Sequence, residues 1–100
     1  MISTQVLANC IEELHNITKV DLCVYDADGI EVVSTFDNEE VTGDMIRYFI
    51  ASPADSQVIG IHHLLKVLEE GELLYALVAR GSGDESYMVG KIAVSQLLQL

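Results

Sequence analysis

The amino-acid sequence predicts one α+β domain over residues 1–100, with an antiparallel sheet of about five strands and N-terminal, middle and C-terminal helices. Three stretches have apolar residues at helical spacing, which indicates amphipathic helices. Between them lie two pairs of β-rich segments, and a short turn that contains glycine joins each pair. A chain of 100 residues is long enough to bury a core of its own.

The first predicted helix covers residues 3–17, and Ser3 or Thr4 can cap its N-terminus. The residues that form its apolar stripe are Val6, Leu7, Cys10, Ile11, Leu14 and Ile17. Glutamate and asparagine side chains occupy the opposite side. This pattern predicts that the helix packs one face on the sheet.

A first hairpin follows, with strands over residues 20–26 and 30–36. The sequence DADG between them is typical of a turn, and Gly29 can take the positive φ angle that such a turn requires. DADGIE also resembles the start of a calcium loop, but it lacks the remaining oxygen ligands. A plain turn is therefore the prediction.

The middle helix is predicted to begin at Asp37 or Asn38, either of which can cap it. Its apolar face consists of Val41, Met45, Ile46, Phe49 and Ile50. Gly43 loosens the first turn, at a cost of about 1 kcal/mol relative to alanine. Ser52 precedes the proline of the chain, and this position disfavours helical conformation, so the helix is expected to end there.

The second hairpin pairs residues 58–68 with residues 73–80, with Glu70-Gly71 at its tip. The last helix is predicted over residues 86–100, capped by Asp84 or Ser86. The residues along one side of that helix are Val89, Ile92, Ala93, Gln96, Leu97 and Leu100. We expect that it is the first part of a longer helix, because no glycine ends it.

Both faces of the second hairpin are largely apolar, so both are expected to be covered by helices, a ligand or a partner. Two known architectures have this order of elements: PAS-like sensor domains and roadblock-type dimerisation modules. The sequence pattern alone leaves the choice between them open.

The composition excludes some partners and favours others. Five basic residues against sixteen acidic ones give a net charge of -11, which disfavours direct contact with nucleic acid or an anionic membrane. No apolar run approaches the roughly 20 residues of a membrane span, and no signal segment follows Met1. The mean hydropathy of +0.32 is high for a short chain and predicts a packed interface, most simply in a homodimer.

The most suggestive polar pair is His63 and Arg80. If Glu69 pairs with Glu72 across the turn, these two residues share one apolar face and can bind a carboxylate. In the alternative, Arg80 reaches solvent and His63 bonds to a backbone carbonyl. A register shift by one residue would place His62 on this face instead.

Metal, cofactor and catalytic sites are not predicted. His62 and His63 are neighbours on a strand and point to opposite faces, so they do not easily share a metal ion. The GSGDES segment carries carboxylates where a phosphate would bind, and helix capping explains it better. No nucleophile motif is present, so we expect no enzyme. Cys10 and Cys23 are expected to be reduced, half-buried thiols of a cytoplasmic protein.

Three segments, SPADSQVI, KVLEEGELLYALVARG and SYMVGKIAVSQL, resemble the N-terminal sensory region of bacterial transcriptional regulators of the PucR/CdaR type, the sugar diacid utilization regulators. The resemblance extends over nearly the whole chain. It implies a cytoplasmic, dimeric, PAS-like or GAF-like input domain that a long helix joins to a C-terminal helix-turn-helix. DNA contact would then belong to that second domain, which this sequence lacks.

The sequence therefore predicts a ligand-sensing and dimerisation domain that binds a small carboxylate or sugar acid. The predicted ligand-binding residues are His63, Arg80, Ser52, Asp55, Ser56, Gln57 and Tyr75. Residues 52–57 either line the mouth of a pocket or only shape a connector. The alternative function is a roadblock-type dimerisation or adaptor module without a small ligand.

Overall fold

The computed structural model describes residues 3–100 and confirms the predicted fold class. Its five strands form one antiparallel sheet in the order β2-β1-β5-β4-β3. The elements in chain order are α1 (Thr4–Thr18), β1 (Leu22–Tyr25), β2 (Glu31–Ser34), α2 (Gly43–Ala51), β3 (Ser56–Ile59), β4 (His62–Glu69), β5 (Glu72–Arg80) and α3 (Asp84–Leu98).

Helices cover both faces of the sheet; the sequence predicts that helices, a ligand or a partner cover them. Helices α1 and α3 pack on one face, and α2 packs on the other. The buried residues of the core that the sheet forms with α1 and α3 include Leu7, Ile11, Leu22, Val24, Leu65, Val67, Leu77, Ala79, Val89, Ala93 and Leu97. The buried residues of the core on the α2 side are Cys23, Tyr25, Val41, Ile46, Phe49, Leu64, Ala76 and Val78.

Helix α1 agrees with its prediction in position and cap. The Ser3 hydroxyl accepts a hydrogen bond from the Val6 amide at 3.1 Å. Leu7 and Ile11 are buried, but the stripe is narrower than predicted, because Val6 and Ile17 are exposed. Only the central rows of the apolar face therefore contact the sheet.

Helix α2 begins later than predicted, so the expected caps Asp37 and Asn38 are wrong. Its N-cap is Thr42, whose hydroxyl accepts from the Met45 amide. Asn38 instead anchors a loop, since its side-chain amide donates to the Tyr25 hydroxyl at 2.8 Å. The predicted end of the helix at Ser52 is confirmed.

The predicted strand over residues 58–68 is two strands. A two-residue turn at Gly60 and Ile61 separates β3 from β4. Gly60 has a φ of 60°, which suits the first position of a type II′ hairpin turn. The sheet thereby gains the fifth strand, which lies at its edge beside β4.

The β4–β5 hairpin contains a bulge that changes its register. Glu69 pairs with Glu72 as predicted, but Leu74 is an extra residue, because Leu68 pairs with Leu73 and Val67 with Tyr75. Every pair nearer the open end is shifted by one residue. The expectation that His63 and Arg80 share a face is therefore wrong, and His62 is the partner of Arg80.

Helix α3 begins at Asp84 with Gly83 as its N-cap, and no side chain caps it. The predicted caps Asp84 and Ser86 are thus wrong; the Ser86 hydroxyl donates to the Arg80 carbonyl at 3.1 Å. Within the predicted stripe, the buried residues are Val89, Ala93 and Leu97, whereas Ile92, Gln96 and Leu100 are exposed. Among residues 3–100, no helix is long and apolar enough to cross a membrane.

Candidate functional site

A small cleft opens at one edge of the α2 face of the sheet, and we call it the His62–Arg80 cleft. Its volume is about 130 Å³. The residues that line it are Phe36, Asp37, Asn38, Glu39, Glu40, His62 and Arg80. The cleft therefore contains Arg80, which is one of the predicted ligand-binding residues, and His62, which the register shift places beside it.

Three elements build the cleft. His62 is the first residue of β4 and Arg80 is the last residue of β5, and the two are paired across the antiparallel strands. Cross-strand partners project from the same face, so both side chains lie on the α2 side. The loop between β2 and α2, residues 35–42, supplies the opposite wall.

Phe36 connects the two basic side chains. Its ring is nearly parallel to the His62 ring, at 17°, with the ring centres 6.3 Å apart. The Arg80 guanidinium carbon lies 5.7 Å from the centre of the Phe36 ring, within the distance at which cations are attracted to aromatic faces. Phe36 therefore restrains the position of Arg80 without occupying its hydrogen-bond donors.

The loop wall is acidic. Asp37, Glu39 and Glu40 give three negative charges against the one positive charge of Arg80. The closest approach to His62 is by Glu40, with 3.9 Å between Glu40 Oε2 and His62 Nδ1, which is longer than a hydrogen bond. The cleft thus presents separate positive and negative groups to a ligand.

Tyr25 anchors this loop from below. Its hydroxyl accepts from the Asn38 amide and lies 3.4 Å from the Val41 carbonyl, to which it donates. Burial, and to a smaller extent the hydrogen bond with Cys23, raises the pKa of Tyr25 well above its ordinary value of 10.0. The hydroxyl therefore stays protonated and keeps donating to Val41 at neutral pH.

His63 lies on the opposite face of the sheet. Its Nδ1 is 2.8 Å from the Gly81 carbonyl oxygen, and its ring centre is 5.3 Å from that of Tyr87. Arg80 is exposed at the strand end. Both observations agree with the alternative in which His63 bonds to a backbone carbonyl and Arg80 reaches solvent.

The other predicted site residues do not join the cleft. Tyr75 lies on the α1 and α3 side, half-buried against that core. Ser52 caps the end of α2, where its hydroxyl donates to the Phe49 carbonyl. Asp55 is exposed, and its carbonyl accepts from the Lys66 amide. This arrangement favours the connector interpretation of residues 52–55.

Ser56 and Gln57 begin the edge strand β3, where they pair with Leu65 and Leu64. Ile59, at the other end of β3, is the residue that pairs with His62. Ser56 is therefore three residues, about 10 Å along the strand, from the cleft end of the sheet.

Sequence reasoning missed the acidic wall of the cleft. The sequence predicts that Phe36 ends a strand and that Asp37 caps a helix, because Glu40 follows Asp37 at the spacing of a capping box, but the helix begins only after Thr42. A run of four polar residues between a strand and a helix is a signal of a loop. Its position over the sheet depends on the Asn38–Tyr25 contact, which the sequence does not indicate.

A larger concavity of about 410 Å³ lies on the outer side of α2. All four of its lining residues, Asp44, Arg47, Tyr48 and Ala51, belong to this helix. A depression formed by a single helix brings no second element to hold a ligand. The His62–Arg80 cleft, which three elements build, is the better candidate despite its smaller volume.

The space between the sheet and α2 is filled by packed side chains, each at most 4% exposed. Within residues 3–100, no cluster of three metal-binding side chains is present, and both cysteines are free. Cys10 is half-buried as expected, whereas Cys23 is fully buried. No protein-family model matches the sequence, and no curated protein matches it either.

Proposed function

We propose that this chain is the signal-input domain of a cytoplasmic transcriptional regulator, in which a small metabolite with a carboxylate binds in the His62–Arg80 cleft. Arg80 supplies a planar, two-pronged donor that suits a carboxylate. The role is binding rather than catalysis. The sequence resemblance to sensory regions of PucR/CdaR-type regulators supports this proposal.

One observation carries it: Arg80 lines the cleft and also contacts the first turn of α3. Its side chain lines the cleft, and its carbonyl accepts the hydroxyl of Ser86 in the first turn of α3. A ligand that binds the Arg80 side chain would change the free energy of the hydrogen bond between the Ser86 hydroxyl and the Arg80 carbonyl. It could therefore bias the position of α3, which would lead to the DNA-binding domain of the regulator.

Dimerisation is the second part of the proposal. Met88 and Ile92 lie one turn apart on α3, and their side chains are 63% and 43% exposed. Exposed apolar side chains on one helix face favour contact with a second copy of the chain. The same observation favours the alternative, a roadblock-type dimerisation module that has no small ligand.

A thermal-shift screen of small carboxylic acids, sugars and sugar acids tests ligand binding. At 100 times its dissociation constant, a ligand stabilises the folded chain by about 2.7 kcal/mol, which raises the melting temperature by several degrees. We expect one or more carboxylates to do so. The Arg80→Ala variant should fold but lose the shift, because Arg80 is exposed.

Lys91→Ala is the matched control, since Lys91 is an exposed cation on α3 outside the cleft. It should retain the full shift. If no compound shifts the melting temperature, or if Arg80→Ala responds like the unmodified chain, the sensing role is wrong. The ligand-free dimerisation module would then be the better description.

A further inference from the structure

The His62 side chain is buried but has no hydrogen-bond partner. It is 2% exposed, and among residues 3–100 the one carboxylate within 4 Å of its ring nitrogens is that of Glu40, at 3.9 Å. Within the same part of the chain, no side-chain nitrogen or oxygen is both fully enclosed and unpaired, so the unpaired ring nitrogens of His62 are reached from the cleft. Buried polar groups in proteins are nearly always paired, which makes His62 a position for a ligand atom.

Arg80 is also available to a ligand. Within residues 3–100, His15, Arg47 and His62 form or approach ion pairs, but Arg80 does not. Its guanidinium lies over Phe36, which leaves its donors free for a carboxylate.

The net charge of the cleft limits the class of ligand that can carry this carboxylate. Three carboxylates and one guanidinium sum to a net charge of -2 when His62 is neutral. A ligand with two or more negative charges would be repelled by Asp37, Glu39 and Glu40. A ligand with one carboxylate and one ammonium group would pair with both sides of the cleft.

The volume of the cleft limits the size of the ligand. About 130 Å³ is well below the roughly 300–1,000 Å³ of pockets that hold drug-sized ligands. Only a compact molecule fits.

We propose that the His62–Arg80 cleft binds a small zwitterion of the α-amino-acid class. The carboxylate pairs with Arg80, the ammonium group pairs with the acidic loop, and the His62 ring forms a hydrogen bond to the bound molecule. This inference rests on the proposed sensing function and specifies the ligand class.

The test is a binding titration with the twenty standard L-amino acids, and with acetate, methylammonium and glutarate as probes of single features. Binding is followed by the NMR shifts of the His62 imidazole and by the melting temperature. At least one amino acid should bind about tenfold more tightly than acetate or methylammonium, because each of these lacks one of the two charge contacts. Arg80→Gln should abolish its binding.

The Glu40→Gln variant distinguishes a zwitterion site from a site for a doubly negative ligand. Removing this negative charge should weaken amino-acid binding about threefold or more and strengthen glutarate binding, since the two ligands differ in the sign of their second charge. Glu13→Gln removes the same charge from the exposed face of α1 and should change neither affinity.

Failure of this inference can be distinguished from failure of the proposed function. If glutarate or a sugar acid binds through Arg80 and no amino acid does, the zwitterion inference is wrong and the sensing role stands. If no probe or screened compound binds, both fail. If an amino acid binds without shifting His62, the site lies elsewhere and the inference is wrong.

Discussion

Cys23 and Tyr25 are two titratable residues that point under α2 from strand β1. Burial raises the pKa of the Cys23 thiol from its ordinary value of 9.0 to about 11, and burial raises the pKa of Tyr25 as well. Both groups are neutral when protonated. The folded protein therefore holds these protons at a pH where the unfolded chain releases them.

This difference predicts a loss of stability at alkaline pH. The contribution of Cys23 is fully present below pH 9 and is lost as the pH rises through about 11, because the unfolded chain then binds fewer protons. Between these pH values, the free energy of unfolding should fall by roughly 2 kcal/mol less in Cys23→Ala than in the unmodified chain. Chemical denaturation at a series of pH values measures the slope.

Cys10→Ala is the control, because Cys10 is only half-buried and burial raises the pKa of its thiol less. Its profile should stay close to that of the unmodified chain. Parallel curves for Cys23→Ala and the unmodified chain over this pH range would contradict the prediction.

At the scale of the elements, Lys66 ties helix α2 to strand β4. Its ammonium group donates to the Ser52 carbonyl at the C-terminus of α2 and lies 5.3 Å from the centre of the Phe49 ring. A cation at this position satisfies a terminal carbonyl and interacts favourably with the helix dipole. Helix α2 has no basic residue in its own last turn, so β4 supplies this charge.

Lys66→Met should lower the free energy of unfolding by about 1 kcal/mol, since methionine keeps much of the apolar stem but loses the charged hydrogen bond. Urea denaturation measures the change. Lys91→Met, on the exposed side of α3, should stay within about 0.5 kcal/mol of the unmodified chain. Equal stability of the two variants would show that the Lys66 contact contributes nothing.

At the scale of the whole molecule, charge and apolar surface act in opposite directions. A net charge of -11 keeps copies of the chain apart, whereas exposed apolar side chains on α3 favour association. Repulsion between like charges is screened by salt, but apolar contact is not.

We therefore expect the dimer to strengthen as NaCl rises from about 0.05 M to about 0.5 M. Sedimentation should show a species of twice the 11.0 kDa chain mass, and Ile92→Glu should shift it to the monomer. Ile30→Glu introduces the same charge at an exposed isoleucine in the β1–β2 turn and should leave the dimer nearly intact. A monomer under all salt conditions would rule out self-association.

The sequence predicted the features that depend on neighbouring residues. The Ser3 cap, the turn at Gly29, the tip at Glu70-Gly71 and the end of α2 at Ser52 are all confirmed. Each follows from the conformational preference of one or two residues. The two apolar faces of the hairpin likewise predicted that both sides are covered, by helices, a ligand or a partner, because side chains alternate along a strand, and helices cover both.

The candidate site depended on contacts between distant segments. Leu74 forms a bulge opposite Val67 and Leu68 of β4, and this one extra residue places His62 rather than His63 beside Arg80. The acidic loop reaches the cleft because Asn38 bonds to Tyr25, thirteen residues away. By itself, the sequence determined the three helices, the two hairpins and their apolar faces, since these follow from local preference. Only the tertiary structure decided which polar side chains meet, because a register shift changes no local pattern.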